Sequence, residues 1–98
     1  MAGLLKIKVL NTAVNCVTLQ VNLQRVETAR VHRAEKASGP YETIGLTQKK
    51  VYRDTAALTP GRTYYYLATP CPSHWFIPEP DDLRGGKPVS ARVPLAPK

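Results

Sequence analysis

Val17-Thr18-Leu19-Gln20-Val21-Asn22-Leu23-Gln24 puts an apolar residue at every second position. Successive side chains of an extended chain point to opposite faces, so this stretch predicts a strand with one dry and one wet face. Upstream, Leu5-Lys6-Ile7-Lys8-Val9 alternates in the same way, with Asn11-Thr12-Ala13-Val14-Asn15 supplying the turn between the two. Downstream, a weaker strand is expected over residues 28–35, centred on Val31, with Arg30 and His32 turned to solvent. Ser38-Gly39-Pro40 is a turn, because glycine tolerates positive φ and proline fixes its own. Short strands follow over 41–46 and 50–53, then a second turn at Leu58-Thr59-Pro60-Gly61. Thr63-Tyr64-Tyr65-Tyr66-Leu67-Ala68-Thr69 is rich in strand-favouring residues, and Val89, Ala91 and Val93 alternate in a last strand. Residues 23–37 come closest to a helical stripe, through Leu23, Val26, Ala29, Ala34 and Ala37.

Between the last two strands lie Pro70, Pro72, Pro78 and Pro80 with Gly85 and Gly86, a density that predicts a long loop over 70–87. The expected fold is all-β, a seven-stranded antiparallel sandwich with this Pro-rich loop before the last strand. The 98 residues suit one domain spanning 1–98, with its core over 4–93 and a tail over 94–98. The formal net charge of +7 would draw it towards nucleic acid, an anionic membrane face or an acidic protein. Its cations are scattered in pairs (Lys6 and Lys8, Arg30 and Arg33, Lys49 and Lys50, Arg84 and Lys87) rather than gathered in one basic block. Lys6 and Lys8 break up the apolar start, so no signal peptide is read, and no stretch is apolar enough to span a membrane. Cys16 and Cys71 fall at opposite ends of the expected strands and are read as free thiols.

Catalysis needs a nucleophile held against a base, or paired acids. Cys71-Pro72-Ser73-His74 is the one local cluster, and it lacks an orienting acid, so no catalytic residue is assigned and the chain is read as a non-enzyme. A metal site would have to use Cys16, His32, Cys71 and His74, which show no paired ligand spacing; no metal and no cofactor are expected. Gly85-Gly86-Lys87 lacks the remaining residues of a phosphate loop. Trp75-Phe76-Ile77 has two readings. Three large apolar residues can fold back over an open sheet edge, or they can anchor into a partner, with Arg84 and Lys87 as a charged rim. Tyr65 and Leu67, turned outward, would continue the same binding patch.

Val31-His32-Arg33-Ala34, Ser38-Gly39-Pro40-Tyr41-Glu42-Thr43-Ile44-Gly45, Tyr52-Arg53-Asp54-Thr55 and Leu58-Thr59-Pro60-Gly61-Arg62-Thr63-Tyr64-Tyr65-Tyr66 occur in an order that resembles a fibronectin type III domain over roughly residues 15–69. The resemblance implies an Ig-like sandwich in which Leu58, Pro60 and Tyr64 form a tyrosine corner, the Tyr64 hydroxyl bonding backbone a few residues upstream. It also implies that Tyr64 and Tyr66 face the core as scaffold residues. Type III folds in small proteins without an export signal resemble accessory proteins of tailed bacteriophages. The implied function is a virion component, as a capsid decoration, neck or tail accessory protein. Its partners would be other virion or scaffold proteins, or further copies of itself, and it would be made in the host cytoplasm. The alternative is a general protein- or glycan-binding module of a surface protein or cytoplasmic adaptor. A nucleic-acid binder ranks third, because stacking aromatics interleaved with Lys and Arg are sparse.

Overall fold

In a computed structural model, residues 5–23, 28–55, 58–71 and 87–95 are described. Seven strands run in chain order: β1 (Ile7–Ala13), β2 (Cys16–Val21), β3 (Thr28–Ala34), β4 (Glu42–Thr47), β5 (Val51–Asp54), β6 (Thr63–Cys71) and β7 (Val89–Arg92). They form two antiparallel sheets, a three-stranded one in the order β1-β2-β5 and a four-stranded one in the order β4-β3-β6-β7. No helix occurs among the described residues; of the apolar stripe over 23–37, residues 28–34 form β3, and Leu23 and Ala37 lie outside any strand. Residues 24–27 lie outside the described part.

The two sheets meet through the residues that alternation selects. Val17, Leu19 and Val21 of β2 are buried with Val31 of β3, Tyr66 and Ala68 of β6, and Val93 beyond β7. Removing apolar area of this kind from water, at about 25 cal/mol per Å², is the main force holding one sheet on the other. Leu5 bridges to Ala68 and its amide donates to the Ala68 carbonyl, so the N-terminal end of the three-stranded sheet is stitched to the other.

Several strand ends differ from the expected ones. β2 stops at Val21, short of Leu23, and β3, β4 and β5 are each displaced by one residue at one end or both. Two further differences have a clear cause. β1 runs on to Ala13, and the turn is only Val14-Asn15, because Asn15 takes the left-handed conformation that asparagine tolerates better than most residues. β6 runs on through Pro70 and Cys71, so the expected loop over 70–87 does not begin at Pro70. Ala68 turns its carbonyl away from β3 towards Leu5, and Pro70, two residues on, turns its backbone the same way. β7 pairs with β6 only over Thr63–Tyr66, so the missing proline amide falls where no ladder partner is present among the described residues. The rest of that loop, residues 72–86, lies outside the described part.

The turn entering β6 has Pro60 and Gly61 at its centre, Gly61 at φ 82°, and the Arg62 amide donating to the Thr59 carbonyl at 3.2 Å. These are the proline and glycine positions of a type II turn. The Gly61 amide donates to the Val93 carbonyl at 2.7 Å, docking the turn on the last segment, where a Cβ at Gly61 would also meet Leu95. Gly61→Ala is expected to cost about 1–2 kcal/mol, read as a lower urea midpoint at an unchanged slope. Gly61→Asn, which accepts positive φ more readily, is expected to lose less.

Candidate functional site

A polar cluster crosses the interior at one end of the sandwich. Arg33 shares the inward parity of Ala29 and Val31 on β3, and it pairs in register with Tyr66 of β6. Across the gap, Asp54 closes β5 with only 1% of its surface exposed. Arg33 Nη1 donates to both Asp54 oxygens, at 3.1 and 2.9 Å, and the Tyr66 hydroxyl donates to Asp54 Oδ2 at 2.7 Å. A carboxylate of the three-stranded sheet is thus held by two strands of the four-stranded one. Burial pulls the Arg33 pKa down, but the hydrogen bond and charge of Asp54 outweigh it and raise the value above the ordinary one. Burial, reinforced by the bond to Asp54, pushes the Tyr66 phenol far above its usual range.

Around this cluster a cleft of about 560 Å³ is lined by Arg33, Glu35, Tyr41, Glu42, Arg62 and Tyr64, among others. Its charges pair within the chain: Arg33 with Glu42 at 3.4 Å, and Arg62 with Glu35. The Arg33 guanidinium stands 5.3 Å from the centre of the Tyr64 ring, a cation–π contact. The Tyr64 hydroxyl accepts from the Thr59 amide at 2.8 Å, and Leu58, whose amide donates to Asn15 Oδ1, is buried beside it, while Pro60 is exposed at the turn. Burial alone would raise the Tyr64 pKa, but the bonds from Thr59 and the nearby arginines bring it below the ordinary value. Chemically this end of the molecule works as a brace.

Of the residues named for binding, Tyr65 and Lys87 are described, Tyr65 half-buried and Lys87 exposed. Tyr65 lies between Ala34 of β3 and Ser90 of β7, on the outer face of the four-stranded sheet. It is also near enough to Tyr41 to help burial raise the Tyr41 pKa. Trp75, Phe76, Ile77 and Arg84 lie outside the described residues, as does His74. Leu67 was expected to extend an open patch, and His32 to face solvent. Both do point to that outer face, yet both are buried, with Thr69 beside them.

His32 is held from two sides there: Nε2 lies 2.8 Å from the Thr69 hydroxyl and Nδ1 3.1 Å from the Thr43 hydroxyl. Both ring nitrogens are engaged with protein, and among the described residues no group of three or more His, Cys, Asp or Glu is gathered for a metal. Burial, with the Arg30 charge adding to it, lowers the His32 pKa below its ordinary 6.5. The unfolded chain then binds the proton more readily than the folded one. The contribution of His32 to stability is complete above pH 6.5 and is lost as the pH falls from there towards the lower folded value. Thermal melts between neutral and mildly acid pH are expected to show this fall, and His32→Gln is expected to flatten it.

Compared with family models and with curated proteins, the chain gives no match in either. In the sequence Arg33 stands among the scattered cations and Asp54 in a segment that carries the type III resemblance, and neither is singled out as a buried partner of the other. A signal was present: Arg33 lies two residues from Val31, and Asp54 two from Tyr52, so both have the parity of core positions.

Proposed function

We propose that this chain is an Ig-like sandwich of the fibronectin type III kind that acts without catalysis, as a structural or binding component of a phage particle. Two features support the fold reading. The strand order β1-β2-β5 against β4-β3-β6-β7 requires the chain to cross between sheets, as it does in Greek-key sandwiches. The Tyr64 hydroxyl is held by the Thr59 amide, five residues upstream, where the tyrosine-corner resemblance puts such a bond.

The observation that carries the binding reading is the use made of interior polar groups. Arg33, Asp54 and Tyr66 are committed to holding the sheets together, which leaves outer faces and loops for contact with partners. A rigid body of this kind gains strength on a lattice when many copies bind side by side. Mass spectrometry of particles purified from the source of the sequence is expected to find the chain at a fixed copy number. Trp75→Ala with Phe76→Ala is expected to abolish that incorporation while leaving the circular dichroism spectrum unchanged. Particles that lack the wild-type chain would sink the virion reading.

A further inference from the structure

The outer face of the three-stranded sheet carries a charge pattern that the sequence disguises. Register fixes which side chains share it. Val9, Leu19 and Tyr52 lie side by side facing inward, so the neighbouring row, Lys8, Gln20 and Val51, faces out. The register slips between Val9 and Asn11, which puts Leu10 and Asn11 together opposite Thr18, and Thr18 is paired in turn with Arg53. At the end of this face Lys6 and Lys50 close in on either side of β2: the Asn22 amide donates to the Lys6 carbonyl and the Val21 amide to the Lys50 carbonyl. A cleft of about 650 Å³ is lined there by Lys6, Lys8, Lys50, Gln20 and Asn22, with Val21 and other apolar residues.

Cations therefore flank both outer strands, and the middle strand is neutral. Among the described residues the carboxylates are elsewhere: Asp54 is inside, Glu35 pairs with Arg62, and Glu42 pairs with Arg33. Lys6, Lys8, Lys50 and Arg53 have no ion pair with a described residue. Two aliphatic side chains sit among them in the open, Leu10 at 46% and Val51 at 44% exposure.

We propose that this face is a docking surface for a protein segment whose carboxylates bracket an aliphatic centre. Complementary charge selects an acidic partner over a neutral one and speeds its approach. Leu10 and Val51 select protein over nucleic acid, since a phosphate backbone has nothing apolar to cover them. Tyr52, the aromatic residue of the three strands of this sheet, has inward parity and donates its hydroxyl to the Ile44 carbonyl, so it offers no platform for stacking a base. A three-stranded face is small beside the roughly 800 Å² per partner of a stable complex, so a single copy binds weakly and in a salt-sensitive way. The face lies on the opposite sheet from Tyr65, and the inference stands whether or not the chain belongs to a phage particle.

The full chain is titrated, by fluorescence anisotropy, into three probes: a short peptide with glutamates flanking leucine and valine, an all-glutamate peptide of equal charge, and a DNA duplex. The mixed peptide is expected to bind best at about 150 mM salt. Lys8→Gln with Arg53→Gln is expected to weaken it about tenfold, and Leu10→Asn with Val51→Thr several-fold. Lys36→Gln with Arg92→Gln, which removes the same charge from elsewhere, is expected to leave it nearly unchanged. Equal losses in the two charge variants would reduce the effect to net charge and overturn the proposal. So would a DNA duplex that binds more tightly than the mixed peptide, or a wild-type chain that binds no peptide even at about 50 mM salt. Each variant is exposed at the surface, and circular dichroism checks that its fold is retained.

Discussion

Asp54→Ala is expected to be among the most damaging single changes, at about 3–5 kcal/mol, because it takes the buried carboxylate away from a half-buried cation. Arg33 keeps 15% of its side-chain surface exposed and retains Glu42 at 3.4 Å, which favours the lower end of that range. The Tyr66 hydroxyl loses its acceptor at the same time and is fully buried. A domain of this size is stable by about 5–15 kcal/mol, so the loss removes a large share. Urea unfolding followed by far-UV circular dichroism reads it directly as a lower midpoint. Tyr66→Phe removes one hydrogen bond to a charged group while leaving the ion pair, and about 1.5–3 kcal/mol is expected. An Asp54→Ala variant that loses less than Tyr66→Phe would mean that the carboxylate is not the hub of the brace.

Leu19→Ala is the second large effect, expected at about 3–4 kcal/mol. Leu19 is fully buried between Val9 and Tyr52 in the middle of the three-stranded sheet, so the lost methyl groups leave a cavity that flanking strands cannot close. For a domain of this length the change corresponds to a melting temperature lower by about 15 °C or more. Leu46→Ala provides the contrast. Leu46 is 56% exposed on the edge strand β4, and a shift within about 0.5 kcal/mol is expected. Equal losses at the two leucines would mean that the sheets do not meet where Leu19 is placed.

Strand existence was legible because period-two alternation is a local signal: Val17, Leu19 and Val21 declare their face without reference to any partner. The same rule puts Tyr64 and Tyr66 on one face; that this face is the inner one is what the type III resemblance implies, and both are buried. The brace was not legible in the same way, since Arg33 and Asp54 are 21 residues apart and Asp54 and Tyr66 are 12 apart. Only the pairing of β3 with β6, and of β2 with β5, brings them to one place. His32 defeats alternation for another reason: its parity is outward, as read, but outward is not exposed on that part of the sheet. The pairing of Lys6 and Lys8 with Lys50 and Arg53 was hidden too, because the antiparallel turn of β2 onto β5 is what puts distant cations on one face.

The margins of the two sheets have a consequence for how copies meet in a crowded setting. β1 changes register between Val9 and Asn11, and β4, through its pairing with β3, around Ile44, while β5 and β7 are four residues long. Interrupted or stubby borders make poor templates for a foreign strand. Concentrated solutions of the folded protein should therefore resist conversion to cross-β fibres, and thioflavin fluorescence should stay flat until the protein unfolds.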